Sequence, residues 1–287
     1  MRCSVVILAC DKAAYTRRTL AGLLAAGASG LEFVLVDNGS ADDTPEVFDD
    51  FCRAAGAAGA ETKRLRFAEN IGAVAGRNAA LAECAGTNIV FMDNDVVPGR
   101  RSWLSRLETV LASDPGAGIV APRMVFAAPP HAIQCAGCDI APGGRVVFRG
   151  RGEPFDAPAF MERRDCPALI SATWLMRREV RRAVGELDML FHPVQFEDID
   201  YCYRARQAGW RCVYEPSVWM YHFENVTTAG GRVTGNYRRL TLAHGLKFKR
   251  KWAEQAARDA NPAADVPWRD DLPPIAYDDA GELPLAD

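Results

Sequence analysis

Two carboxylates one residue apart, Asp93 and Asp95 with Asn94 between them, follow the apolar run Ile89-Val90-Phe91-Met92 and precede Val96-Val97-Pro98-Gly99. The run reads as a buried strand closed by a Pro-Gly turn. The acids therefore stand at the carboxyl end of a strand, where open α/β sheets place their ligands. Held that close, they repel each other unless something positive sits between them. A hard divalent cation carrying a diphosphate meets that need with oxygen ligands. For an isolated D-x-D the alternative is an acidic turn in solvent.

The motif is not isolated. Upstream, Val5 to Ala9 ends in Cys10-Asp11, and Val36-Asp37-Asn38-Gly39-Ser40 closes a second apolar run. A carboxylate in that glycine turn can accept the imide N–H of a uracil or thymine ring, or simply close an Asx turn. Glu69-Asn70-Ile71-Gly72 opens a helix whose free N–H groups, with Arg77, suit an anionic ligand; a surface salt bridge is the other use of Arg77. Downstream, Phe196-Glu197-Asp198-Ile199-Asp200-Tyr201-Cys202 places acids at a helix start, where the macrodipole favours them. Tyr221-His222 follows at the end of a late strand.

The elements that must position these residues alternate. Strand patterns at 5–9, 32–36, 64–67 and 89–92 are separated by helical ones at 16–26, from 43 onward and at 73–84. Repeated βα units with short connections predict an α/β fold with a mostly parallel central sheet flanked by helices. After Asp95 the pattern loosens. Helix 103–111, strand 118–121, a Gly-, Pro- and Arg-rich stretch 127–167 with a hairpin arm at Val146-Val147-Phe148, and strand 169–176 are expected in turn. Helix 198–208 closed by Gly209 follows, then strands 211–214 and 218–221 and a last helix 237–252. The expected organisation is one domain over 1–252, with a nucleotide-binding half 1–95 and an acceptor half 96–252. An acidic, proline-rich tail covers 253–287.

Bulk properties exclude several classes. The chain has 287 residues, 25% charged and 49% hydrophobic, with a net charge of −3. That is an ordinary globular composition and argues against general nucleic-acid binding. No apolar stretch is long enough to span a bilayer, and the N-terminus reads as a first core strand rather than a signal peptide. The 9 cysteines are expected as reduced thiols in the cytoplasm. Cys135-x-x-Cys138, with Cys166 nearby, lacks the second close pair of a zinc site. No G-x-G-x-x-G follows the first strand, which disfavours a NAD-type enzyme.

Taken in order, these motifs resemble the GT-A-fold glycosyltransferases of family 2, inverting enzymes that use nucleotide-sugar donors. The likeness runs over residues 4 to 250. Val36-Asp37-Asn38-Gly39-Ser40 looks like the family's V-D-[ND]-G-S turn, and Phe196 to Cys202 like its F-E-D-x-D-x-C segment. His222 lies where many members carry a metal-binding histidine, and rhamnosyltransferase-like members look most alike. The resemblance implies a metal-dependent, inverting transfer from a UDP- or dTDP-sugar to a hydroxyl of a glycan or lipid-linked glycan.

Its residue assignments follow. Mn2+ or Mg2+ would be held by Asp95 with His222 and Asp93, the last reaching the ribose or a metal-bound water. Ala9, Asp11, Asp37, Asn70, Arg77, Asp93, Asn94 and Trp174 would line the donor site. Asp198 would be the general base, with Glu197 beside it at the acceptor. Trp219 and Phe191-His192-Pro193 would add aromatic faces for sugars, or belong to the core. Where most members have Tyr-Asn, this chain has Cys10-Asp11, which leaves the base open: Cys10 cannot stack, and Asp11 adds a negative charge.

The last helix carries Arg238, Arg239, Lys247, Lys249, Arg250 and Lys251 with no acid among them. It would either lie on anionic headgroups near a lipid-linked acceptor or pack on the domain with a solvated basic face. The expected location is therefore cytoplasmic, with a peripheral seat on the inner face of the plasma membrane as the extended form. Nothing in the sequence sets an oligomeric state. Rival readings are a sugar nucleotidyltransferase, weakened by the absence of glycine from Ala9-Cys10-Asp11-Lys12-Ala13, and a non-catalytic nucleotide-sugar or glycan-binding protein.

Overall fold

The computed structural model describes residues 3–224, 237–266 and 281–287. Strands β1 (Cys3–Ala9), β2 (Glu32–Asn38), β3 (Glu61–Phe67) and β4 (Asn88–Asp93) pair in parallel in the order β3-β2-β1-β4. Helices α1 (Ala13–Ala26), α2 (Thr44–Ala57) and α3 (Ala73–Glu83) connect them. Every residue of β2, and all but one of β1, is buried. This is why these strands read as continuous apolar runs: helices cover both faces. Because β1 lies between β2 and β4, the winding reverses there, and the carboxyl ends of the three strands open a crevice.

The second half follows as β5 (Val96–Pro98), α4 (Trp103–Ser113), β6 (Ala117–Phe126), β7 (Ile133–Cys135), β8 (Cys138–Ile140), β9 (Val146–Phe148) and β10 (Arg164–Asp165). Next come β11 (Thr173–Arg177), α5 (Arg178–Val184), α6 (Glu197–Gln207), β12 (Arg211–His222), α7 (Tyr237–Lys251) and α8 (Ala253–Arg258). Strand β11 inserts antiparallel between β4 and β6, and the sheet continues β6-β12-β10. With β5 on β12 and β7 on β6, ten strands form one sheet among the described residues, while β8 and β9 make the separate hairpin that the 146–148 arm predicted. The α/β architecture with a mostly parallel sheet is therefore the expected one.

Several boundaries differ from the sequence reading, among them strand 118–121, which extends to β6 (Ala117–Phe126). Strand 169–176 shortens to β11, because its lead-in leaves the ladder and commits backbone groups elsewhere. Leu169 N donates to Cys202 Sγ and Ser171 N to Asp198. The two strands expected at 211–221 are one, bulged between Glu215 and Trp219 around Pro216. Packed structure also does not stop at 252. Helix α8 follows directly, Arg206 holds Asp259 bidentately at 2.7 and 2.8 Å, and Ala286 bridges Arg100. Of the tail prolines, Pro267, Pro273 and Pro274 lie outside the described residues. No helix among those described is long and apolar enough to cross a membrane.

Candidate active site

Asp93 is the last residue of β4, and Asp95 stands in the turn to β5. Pairing of β5 with β12 puts Val96 opposite His222, and Phe223 N donates to Asp95 O. One ligand atom each from Asp93, Asp95 and His222 lies within 4.8 Å of the others. His222 Nε2 is 3.3 Å from Asp95 Oδ1, and its Nδ1 is 2.8 Å from Gln134 Oε1 on β7. The amide oxygen only accepts, so Nδ1 carries the hydrogen and Nε2 is turned toward the acids. Burial opposes charging His222, but Asp95 and then Asp93 outweigh it and lift the imidazole to about 9. A site that protonates a buried histidine attracts positive charge. Two carboxylates and one imidazole suit a divalent ion such as Mn2+. Gln134 was missed: a glutamine in a three-residue strand carries no motif, and only the β6–β7 pairing brings it here.

Beside this cluster lies a buried arginine. Arg77, on α3, donates from Nη1 to Ser171 Oγ at 2.7 Å and Glu197 Oε1 at 3.2 Å, and from Nη2 to Asp93. Its guanidinium carbon lies 5.5 Å from the centre of the Phe91 ring. Neither sequence reading of Arg77 holds in simple form. It is no surface pair, since it is buried, and it is no free anion receptor, since it holds a hydroxyl and two acids. Glu197 is correspondingly buried, and its Oε2 has no hydrogen-bond partner among the described residues. Burial, then Asp198, push its carboxyl up to about 8 against the pull of Arg77. Arg77 engages only Oε1 of Glu197.

Asp198 follows Glu197 into α6 after two left-handed residues, Gln195 (φ 82°) and Phe196 (φ 72°), which aim the helix start. Its Oδ2 accepts from Ser171 N at 3.1 Å and its Oδ1 from Ile199 N at 2.8 Å. Burial raises its pKa, the two backbone donors and Arg77 lower it, Asp93 raises it, and the balance lies above the usual carboxylate value. Asp200 does not crowd it. It turns the other way, to Lys251, Arg204 and Trp252 Nε1.

At the carboxyl ends of β1, β2 and β3, three loops are tied together. Buried Asp37 accepts from Ser40 N at 2.9 Å, and Arg66 Nε lies 3.2 Å from its other oxygen. Asp11 (φ 59°) accepts from Ala41 N at 2.7 Å, while its own N–H reaches Ser40 Oγ. Exposed Asn70 accepts from Asn38 Nδ2 and Gly72 N and donates to Cys10 Sγ. Ala9 is buried in the ladder opposite Asp37.

Two donor-site candidates are corrected. Asn94 is turned into the domain, where Nδ2 donates to Thr16 Oγ1 and its carbonyl accepts from Thr19 Oγ1, so it anchors α1. Trp174 is fully buried between Phe91 and Tyr201, at ring distances of 6.0 Å, and is core. Phe191 is core too. Trp219 packs on Phe155 and under Arg100, and His192 caps Gly72. The nine cysteines are free thiols; Cys135, Cys138 and Cys166 are buried in the core, and the contact with Cys135, then burial, push the Cys138 thiol up.

With this geometry in view, the family model "Glycosyl transferase family 2" matches residues 4–185, well over half of the chain. The chain belongs to glycosyl transferase family 2. Among its relatives, the pre-mycofactocin glycosyltransferase of Mycobacterium tuberculosis is 31% identical over 227 residues, covering 76% of this chain and 42% of the relative. Protein y4gI of Sinorhizobium fredii is 30% identical over 231 residues, covering 78% of this chain and 24% of that protein. The family 2 chain thus spans less than half the length of the curated relatives it matches.

Solved structures share the fold. GalNAc-T7 with UDP, GalNAc and Mn2+ superposes with a TM-score of 0.62 at 16% identity, covering 77% of this chain and 44% of that one. The mannosyltransferase PcManGT of Pyrobaculum calidifontis with GDP-Man and Mn2+ gives 0.56 at 18% identity, covering 90% and 73%. The family 2 chain has the GT-A fold of these neighbours.

Proposed function

We propose that this chain moves a sugar from a nucleoside-diphosphate sugar to a hydroxyl acceptor, inverting the anomeric carbon. The observation that carries the reading is the convergence of Asp93, Asp95 and His222 within 4.8 Å, beside the Arg77 network that also holds Ser171 and Glu197. In this reading residues 1–95 form the donor half and 96–252 the acceptor half. Asp95, His222 and Asp93 hold a divalent ion, Mn2+ or Mg2+. When bound, the ion neutralises charge developing on the departing diphosphate.

The protein's own groups do the rest. Asp37 accepts the imide N–H of a uracil or thymine base, in the turn stapled by Asp11 and Asn70. Arg77 keeps Asp93 and Glu197 in place. Asp198, oriented by Ser171 N and Ile199 N, takes the proton of the acceptor hydroxyl as that oxygen bonds to the anomeric carbon and the carbon–oxygen bond to the diphosphate breaks. Burial raises the pKa of Asp198, which strengthens it as a base. The acceptor is a glycan or lipid-linked glycan, met in the cytoplasm or at the inner face of the plasma membrane.

Release of UDP or dTDP from the corresponding nucleotide sugar, with and without Mn2+, tests this reading. Asp198→Asn should lower turnover on the order of 10²–10⁴-fold while leaving the thermal shift with nucleoside diphosphate and Mn2+ intact. An undiminished rate in the variant removes Asp198 from the base role. No shift with any nucleoside diphosphate removes the donor class.

A further inference from the structure

Helix α7 packs one face on the start of α6. His244 Nδ1 lies 3.0 Å from Val194 O, Phe248 packs on Phe196 and Tyr203, and Tyr237 accepts from Gln195 Nε2. Its outward face carries two leucines and Lys249, whose stem lies beside Gly144. Leu242 is 66% exposed and Leu246, one turn on, 56%. The one-turn helix Met189–Phe191 lies along its flank, where Lys247 Nζ donates to Leu190 O at 2.9 Å, and it exposes Met189 and Leu190. Four of the six large exposed apolar side chains among the described residues thus sit on these two adjoining elements. Such clustering marks an interaction surface, whereas single exposed leucines do not.

Charge identifies the occupant. The chain is net acidic at −3, yet α7 carries six basic residues and no acid. Lys247 and Lys251 turn inward, to Leu190 O and to Asp188 and Asp200. Arg238, Arg239, Lys249 and Arg250 are exposed and make no ion pair among the described residues. Leucines along the middle of a helix face with arginines at its margins fit an anionic bilayer: the apolar side chains enter the acyl boundary and the guanidinium groups stay at the phosphates. A second copy of this face would bring like charges together. A nucleic acid would leave the leucines in water.

We infer that the exposed face of α7, with Met189 and Leu190, seats this chain on an anionic phospholipid surface. The packed face of α7 covers the segment that leads into Glu197 and Asp198. The bilayer therefore lies about one helix diameter, ~10 Å, from the start of α6. The seat stands on exposure and charge alone. That it presents a lipid-linked hydroxyl to Asp198 rests on the transferase reading above.

Co-sedimentation of the full chain with vesicles tests the seat without any activity assay. The chain should pellet with phosphatidylcholine vesicles containing phosphatidylglycerol, not with phosphatidylcholine alone, and less at high salt. The pair Leu242→Glu and Leu246→Glu, and separately Arg239→Glu with Arg250→Glu, should each weaken vesicle binding at least tenfold. Their far-ultraviolet circular dichroism should be unchanged, because all four side chains are exposed. A wild-type chain left in the supernatant with both vesicle types overturns the inference, as does equal binding by the leucine variants. Concentration-dependent dimers that the leucine variants abolish, without vesicle binding, assign the face to a second copy instead.

Discussion

His222 Nδ1 lies 2.8 Å from Gln134 Oε1, so a residue outside every motif fixes which imidazole nitrogen faces Asp95. Hydrogen bonds of this kind hold ligand histidines in one tautomer and one orientation, and their loss typically costs about 10–100-fold in metal affinity. Gln134→Ala should weaken Mn2+ binding by that order while leaving the fold intact, as read by titration of the free ion signal in electron paramagnetic resonance. Unchanged affinity would show that the imidazole is oriented by β12 alone.

Arg77 is the cation shared by Asp93 and Glu197. Removing one partner from a buried ion pair leaves charge uncompensated and costs about 3–5 kcal/mol. Arg77→Met should lose stability of that order in urea unfolding above pH 8, where Glu197 is ionised, and less at lower pH. Arg77→Lys should recover only part of it, since an ammonium cannot reproduce the planar fork that reaches Ser171 and both acids. A loss near zero would mean the acids are neutral or solvated.

Glu197 titrates well above its usual 4.5, at about 8, through burial and then Asp198. A carboxyl raised on folding supports the native state while protonated. Its contribution is full below pH 4.5 and disappears as pH climbs toward 8. In chelator, stability of the wild type should therefore fall over that window, with a slope bounded by about 1.4 kcal/mol per pH unit for one group. Glu197→Gln should flatten the slope. Parallel profiles for the two proteins would show that Glu197 stays ionised throughout.

Gly39 sits at φ +76° in the turn after Asp37, and a Cβ there would fall 2.4 Å from the Glu69 carbonyl carbon. Gly39→Ala meets both a left-handed backbone and a main-chain collision. It should cost on the order of 1–3 kcal/mol or more and weaken nucleoside-diphosphate binding, because the loops bearing Asp37 and Asn70 must part. Thermal denaturation with and without UDP reads both effects.

The sequence made the β1–β4 half legible because parallel strands buried on both faces leave uninterrupted apolar runs, each ending in a polar turn. Asp37, Asp93 and Asp95 mark those ends. The order of motifs carried His222 and the 197–198 pair across a hundred residues of unlike sequence. Side-chain direction stayed hidden. Asn94 lies between two cluster acids yet turns inward to α1, and Trp174 neighbours the site in sequence but points into the core. The shortening of strand 169–176 was equally hidden, since its cause is that Asp198 and Cys202, residues distant in the chain, accept from the N–H groups of Ser171 and Leu169.

The grip of Arg77 on α3, β4, the approach to β11 and the head of α6 sets the mechanical character of the cleft. One guanidinium joins the strand that ends in Asp93 to the helix that begins at Glu197, so in the proposed reaction the ion site and the proton acceptor would share one support. Adaptation to different acceptors then falls to the surrounding walls. Efforts to retarget the protein should vary those walls and leave that support untouched.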